Sequence, residues 1–278
     1  MRLKISDTEA IEFGGIPLIM GILNVTPDSF SDGSKFNTPD NALRHASEML
    51  QEGADIIDIG GESTRPGHVP VDADEECRRV VPVVKALAAE FPKAVLSIDT
   101  SKAEVAKAVL GEGVRIVNDV TALENGGDAM VEAIRSCGAG CILMHPRGAG
   151  EGRCTTAVKS YLAERLKFAI DATGLDAEHF ALDPGIGFGK TVEQNAELTL
   201  SSDALHELGR PVLIGISRKS FIGALTGRAV DGRASGTAAA VCMSVYAGAD
   251  IVRVHDVAAA KDAVAMACAF RALAKEQD

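Results

Sequence analysis

Ile56-Ile57-Asp58-Ile59-Gly60-Gly61-Glu62-Ser63-Thr64-Arg65-Pro66-Gly67 decides how the chain is read. A short apolar run bounded by glycines reads as a buried strand. The character then changes at once: an acid, two hydroxyls and an arginine arrive in four residues, and Pro66-Gly67 sets a turn. Paired glycines at a strand end let the backbone approach a ligand closely. Taken alone, the stretch reads equally well as an ordinary surface loop. The rest of the chain tips the balance, because it repeats the arrangement.

Working outward, apolar runs recur at 18–23, 56–59, 95–98, 114–117, 141–144, 180–182, 212–216 and 251–254. Between them lie amphipathic stretches with helical spacing, among them 41–51, 75–90, 103–110, 128–136, 157–172 and 262–275. Gly53, Gly111, Gly174, Gly209 and Gly248 stand where helices stop. Residues 1–13 alternate apolar and polar on either side of Asp7-Thr8-Glu9-Ala10, the pattern of a small hairpin. Eight strands alternating with helices imply parallel pairing and right-handed crossovers. In 278 residues this predicts an α/β fold, a (β/α)8 TIM barrel with a short N-terminal β-hairpin, as one domain over 1–278. A doubly wound open sheet is the alternative. Against it, the first βα turn lacks a Gly-x-Gly-x-x-Gly pattern, and no boundary splits the chain into halves.

The totals narrow the function. Apolar residues make up 46% of the chain, enough for a large core. A net charge of −11 makes nucleic acid and anionic membrane surfaces poor partners, while an anionic small substrate stays compatible with a local cluster of bases. Met1-Arg2-Leu3-Lys4-Ile5-Ser6 has no apolar signal core and no run is long enough to span a bilayer, so a cytoplasmic location is expected. The 6 cysteines form no Cys-x-x-Cys pair and are expected to be reduced and mostly buried.

Polar residues gather at one end of the runs. Asn24 follows the first, Thr64-Arg65 the second, Asp99 the third and Asn118-Asp119 the fourth. His145 follows the fifth, Asp183 the sixth and Ser217-Arg218-Lys219 the seventh, and Arg253 with His255 marks the eighth. A single Asp after a strand is commonly a helix cap. Polar residues at all eight ends fit a barrel mouth, where the strand ends converge on the catalytic face.

Two sets separate by charge. Asp99, Asn118 and Asp183 offer acceptors and an amide that can hold a donor-rich, planar heterocycle by two points. Arg65, Lys219, Arg253 and His255, with Asn24, suit a phosphate or diphosphate, and few carboxylates nearby suggest magnesium carried mainly by substrate phosphates and water. The combination reads as group transfer away from a diphosphate leaving group, with the cations stabilising the departing charge. No nucleophile is needed: Cys141 starts its run and should point away from this face, and neither a Ser-His-Asp order nor a zinc signature is present. The glycine-rich loop 183–190 carries Phe188, which could clamp a flat ring or simply sit in a tight turn. The polar loop 24–33 is long enough to close over a site.

The matches at 21–33, 60–67, 97–102, 118–119, 182–190, 217–220 and 253–256 resemble the dihydropteroate synthase family, in that family's order and over almost the whole chain. The resemblance implies a homodimeric, sulfonamide-sensitive transferase of folate biosynthesis that joins (7,8-dihydropterin-6-yl)methyl diphosphate to 4-aminobenzoate by a dissociative path. It implies that Asp99, Asn118, Met144, Asp183, Gly215 and Lys219 hold the pterin. Asn24, Arg65, Arg253 and His255 would hold the diphosphate, Asn24 also meeting Mg2+. Phe30, Thr64, Arg65, Pro66, Phe188 and Ser220 would surround aminobenzoate. Catalysis would fall to Lys219, Arg253, His255 and Asp99. The chain departs from the family's pattern at Pro146 after His145, at Ser34 after Gly33, and over 148–155. A methyltetrahydrofolate-binding methyltransferase barrel and a non-catalytic pterin-binding protein are the alternatives. Neither needs Arg65, Arg253 and His255 as a diphosphate group.

Overall fold

A computed structural model of the chain describes residues 1–26, 39–62, 70–150 and 153–275. The N-terminal residues pair as an antiparallel hairpin, β1 (Arg2–Lys4) with β2 (Ala10–Glu12). Eight parallel strands follow: β3 (Leu18–Asn24), β4 (Ile56–Gly60), β5 (Val95–Asp99), β6 (Val114–Asp119), β7 (Gly140–Met144), β8 (Phe180–Asp183), β9 (Leu213–Ile214) and β10 (Ile251–Val254). Their order is β8-β7-β6-β5-β4-β3-β10-β9, and a parallel bridge between Leu182 and Val212 brings the two ends of the sheet together. The result is the expected (β/α)8 barrel with its N-terminal hairpin.

Helices wrap the outside: α1 (Pro39–Glu52), α2 (Ala73–Glu90), α3 (Ala103–Leu110), α4 (Gly127–Cys137), α5 (Cys154–Thr173), α6 (Val192–Thr199), α7 (Ser202–Leu205), α8 (Ser220–Thr226), α9 (Ala234–Tyr246) and α10 (Val257–Lys275). Local chemistry starts them where the sequence allows. Asp72 caps α2 by accepting from the Glu75 amide at 2.7 Å, and Thr191 with Gln194 forms a capping box on α6.

The period-2 alternation of each strand sorts its side chains into two cores. One parity faces the helices; Ile57, Ile59, Leu96, Ile98, Val117, Cys141, Leu143 and Leu182 belong to that outer cluster. The other parity faces the barrel axis. Its lowest layer is apolar, with Met20, Ile56, Ile116, Ile142, Ala181, Leu213 and Ile251 packed on Leu3 and Ile5 of the hairpin, which plugs that end. Two residues further along each strand, the same inward parity carries Ile22, Asp58, Asn118, Met144, Asp183, Gly215 and Arg253. Ser97 joins this layer, facing Asp58 across the β4–β5 pair; a register shift between Leu96 and Ser97 sets β5 against β6. An apolar floor thus gives way, one step up, to a polar layer under the mouth.

All six cysteines are free thiols, with Cys141 and Cys154 buried and Cys137 exposed. Cys141 lies in the outer core, away from the mouth as expected. Among the described residues, no helix is long and apolar enough to cross a membrane.

Candidate active site

Arg253 of β10 is the centre of the inward polar layer. Its Nε donates to Asp58 Oδ2 and its Nη2 to Asp99 Oδ2, each at 2.6 Å. Asp58 is fully buried and accepts two further bonds, from Ser97 Oγ at 2.6 Å and Asn118 Nδ2 at 3.0 Å. A buried carboxylate with three donors is satisfied and fixed. Burial works against the charge on Arg253, but Asp58 and then Asp99 outweigh it and hold the guanidinium above the usual arginine range. For Asp99, burial dominates and pushes the carboxyl up to about 7, with Arg253 opposing the rise and Asp58 adding to it. Asp99 Oδ1 is buried and accepts no hydrogen bond from the described residues. It is a ready acceptor for a ligand donor.

Lys219 stands in the same mouth and is held differently. Its Nζ donates to Ile186 O and lies 4.4 Å above the ring of Phe188. Among the described residues no carboxylate hydrogen-bonds to it. Burial lowers its pKa to about 8; Asp183 opposes that and Arg253 adds to it. Lys219 follows Arg218, whose φ is +57°, a left-handed conformation that is unusual for a side chain of this size. The turn is held by Thr237 Oγ1, which accepts from the Arg218 amide at 3.0 Å, and by Arg233 Nη1, which donates to Arg218 O at 2.9 Å.

Asp183 ends β8. Its Oδ1 accepts from the Gly185 amide at 2.7 Å, and burial raises its pKa while Lys219 opposes the rise. A Cβ at Gly215 would stand 3.8 Å from Asp183 Oδ2, so glycine leaves the floor between Asp183 and Arg253 open. Met144 is buried at the same level. His255 Nδ1 lies 2.9 Å from Ser217 Oγ, which also accepts from the His255 amide at 3.1 Å. Ser220 opens α8 at the exposed rim, beside Lys219. Asn24 ends β3, where its Oδ1 and Asp99 Oδ2 both flank Gly60.

The strands therefore bring together Asn24, Asp99, Asn118, Met144, Asp183, Gly215 and Arg253, and the loops beyond them add Phe188, Lys219 and Ser220, with His255 just past β10. Phe30, Thr64, Arg65 and Pro66 lie outside the described residues. Two polar strand ends turn away from the mouth. Asp119 accepts from the Thr121 amide and hydroxyl and from the Leu123 amide, closing the β6–α4 loop. His145 packs edge-on against Tyr161 at 4.8 Å, and its pKa is lowered to about 4, mainly by burial.

The geometry corrects one feature of the sequence reading. Acceptors and cations do not form separate groups, because Arg253 is wedged between two carboxylates. Asp58 and Ser97 were missed because they lie inside their runs rather than at the ends. Their signal was parity: each is a polar residue at an inward position of a buried strand. Lys102 was missed as well. Glu62 and Glu76 share its ammonium, and Arg79 Nη1 donates to Gly61 O at 2.9 Å, so the root of the loop after β4 is pinned from two helices.

A barrel mouth that sets the unmet, buried Asp99 Oδ1 beside the fixed guanidinium of Arg253 suits a planar, donor-rich ring bearing an anionic group. Comparison with known proteins agrees. Residues 20–255 match the family described as pterin binding enzymes. A dihydropteroate synthase of Clostridium beijerinckii is 45% identical over 92% of this chain and 94% of its own length. A Clostridium difficile dihydropteroate synthase solved in the presence of pteroic acid superposes with a TM-score of 0.88 at 44% identity, over 94% of this chain and 98% of that one. A Yersinia pestis dihydropteroate synthase in complex with a sulfonamide drug gives a TM-score of 0.89 at 39% identity, over 98% and 100%. The chain belongs to the dihydropteroate synthase family and is a transferase of folate biosynthesis.

Proposed function

We propose that the mouth condenses (7,8-dihydropterin-6-yl)methyl diphosphate with 4-aminobenzoate by a dissociative path. The bond from the exocyclic methylene to oxygen breaks first, and its electron pair leaves with diphosphate. The arylamine nitrogen then forms the new bond to the pterin-stabilised cation, and its proton passes to diphosphate or water. The observation that carries this reading is the buried, unmet Asp99 Oδ1 next to the guanidinium of Arg253. An acceptor for a ring N–H and a cation for the leaving group are thus joined in one unit.

In this reading Asp99, Asn118, Asp183 and Lys219 bind the pterin edge, over Gly215 and beside Met144. Arg253, His255, Asn24 and Arg65 take the diphosphate. Phe188, Ser220, Phe30, Thr64, Arg65 and Pro66 receive aminobenzoate. Preorganised cations facing growing charge form the largest catalytic contribution in such a site.

Among the described residues, no group of three His, Cys, Asp or Glu could hold a metal. One amide oxygen, from Asn24, fits Mg2+ that is carried by diphosphate and water rather than by a protein cage. When bound, the ion would neutralise diphosphate charge, and Asn24 would be its protein ligand. Calorimetry should show diphosphate binding weakened by a chelator; equal affinity with and without magnesium contradicts this.

We place the enzyme in the cytoplasm as a homodimer. Met243 and Tyr246 on α9, with Met266, Phe270 and Leu273 on one stripe of the adjacent α10, are each more than 40% exposed, an apolar ridge suited to a second copy. A sulfonamide should compete with aminobenzoate, as its size and para anion match; inhibition that ignores added aminobenzoate contradicts the pocket. The direct test of function is to mix purified protein with the pterin diphosphate and 4-aminobenzoate. Release of diphosphate together with dihydropteroate is expected, and release of neither overturns the reading.

A further inference from the structure

The side chain of Lys190 is half-buried just behind the mouth, and among the described residues no carboxylate hydrogen-bonds to its ammonium. Instead four main-chain carbonyls surround Nζ: Gly185 O at 2.7 Å, Arg147 O at 2.9 Å, Phe188 O at 3.2 Å and His145 O at 3.4 Å. Two belong to the loop after β7 and two to the loop after β8. An ammonium has three N–H donors, so one cation knots both loops through their backbone oxygens.

The contact between these loops is unusually close. Gly185 has φ +69°, and a Cβ there would lie 1.9 Å from His145 O. At Gly148 a Cβ would lie 2.7 Å from Gly189 O. Backbone therefore meets backbone, and several carbonyl dipoles converge where no side chain can separate them. A fixed positive charge at their focus offsets that convergence. On the loop's other side Asn195 completes the clamp: Oδ1 accepts from the Gly187 amide at 2.6 Å, and Nδ2 donates to Lys190 O at 3.2 Å and Thr191 O at 2.8 Å. The segment so gripped carries Phe188, whose ring underlies Lys219 Nζ, and Gly187, where a Cβ would strike Lys219 Cδ at 2.5 Å.

We propose that Lys190 is a positioning residue: its ammonium fills a four-carbonyl cage that fixes the Phe188 ring against Lys219 and so sets the affinity for the arylamine substrate. This rests on the reading of Phe188 as part of the aminobenzoate pocket. Lys190 stands behind the mouth; of the residues read as pterin ligands, Asp183 and Lys219 adjoin the gripped loop, while Asp99 and Asn118 stand on other strands. Its loss should therefore split the kinetic constants. It also leaves a cage of oxygen ligands that suits a small monovalent cation, because main-chain carbonyls solvate ammonium and potassium without a side-chain charge.

The test uses Lys190→Ala, which vacates the cage, and Lys190→Met, which fills it without charge. In both, KM for 4-aminobenzoate should rise at least about tenfold, the loss expected for charge-assisted hydrogen bonds. The Kd for pterin should rise less than that KM, because Asp99 and Asn118 stand apart from the gripped loop. Ammonium chloride should lower the raised KM of Lys190→Ala but not that of Lys190→Met, and sodium chloride at equal ionic strength should do less. If Lys190→Ala does not fold by circular dichroism, the split measured on Lys190→Met decides. Unchanged KM in a folded variant, or pterin and aminobenzoate affinities falling together with no response to ammonium, overturns the proposal. Diphosphate release by the parent enzyme is measured alongside. Its absence would count against the function, whereas parent activity with an indifferent Lys190 counts against this inference alone.

Discussion

Arg253 and Lys219 share one barrel mouth and are held in opposite ways. Arg253 is locked by two carboxylates, each at 2.6 Å, and one of them, Asp58, is itself tied to Ser97 and Asn118. Lys219 rests on one carbonyl and one aromatic face, on a turn whose preceding residue has φ +57°. The first cation cannot move without stranding a buried charge. The second can exchange a carbonyl contact for a ligand. A rigid cation suits charge that appears only in the transition state, and a loosely held one suits recognition of the ground state.

The largest effect should come from breaking the rigid side. Asp58→Ala removes the acceptor of three donors and leaves Arg253 half-paired in the barrel. A loss of about 3–5 kcal/mol of stability is expected, the range for stripping one partner from a buried ion pair. Urea unfolding measures it, and a loss under about 1 kcal/mol would mean that Asp58 is not the anchor.

A smaller effect separates the two sides by pH. Asp99 ionises near 7 in the free enzyme, so if its carboxylate form accepts the pterin N–H, kcat/KM falls as pH drops through that value. Burial lowers Lys219 and Lys190 alike to about 8, so kcat/KM falls again as pH rises through that value. Asp99→Asn should abolish the acid limb and keep the alkaline one. A profile flat across both limbs contradicts these assignments.

The smallest effect concerns the turn that aims Lys219. Arg218→Gly relieves a left-handed backbone, worth about 1–2 kcal/mol. It also loses the partly exposed pair of Arg218 with Asp256 at 3.2 Å. Stability should stay within about 1 kcal/mol of the parent while pterin affinity falls, because the turn is no longer biased toward one conformation. Unchanged affinity would show that Thr237 and Arg233 hold the turn unaided.

The barrel was legible because each strand is a buried apolar run closed by glycine or a polar residue, and because the helix spacing between runs is regular. Most of the mouth was legible for the same reason: strand ends are easy to find. The wiring was not. Arg253 lies 195 residues from Asp58 and 154 from Asp99, and only the inward layer of a closed sheet makes them neighbours. Sorting residues by sign put Arg253 with the phosphate ligands and Asp99 with the pterin ligands, which hides that they are one ion pair. Asp58 and Ser97 needed a parity count from Ile56. Lys190 gave no signal at all, since a lysine closing a glycine-rich loop says nothing about which carbonyls will converge on it.

The central claim is that Asp99 belongs to both halves of the site, through Arg253, and Asp183 to one. Calorimetry on Asp99→Asn and Asp183→Asn, with a pterin lacking diphosphate and with magnesium diphosphate, tests it most directly. Asp183→Asn should weaken pterin at least about tenfold, because an amide donor replaces one acceptor, and leave diphosphate binding as in the parent. Asp99→Asn should weaken pterin and also change diphosphate affinity, because Arg253 loses one of its two carboxylates. If Asp99→Asn left diphosphate binding untouched, the two halves would be independent and the shared ion pair would have no part in catalysis.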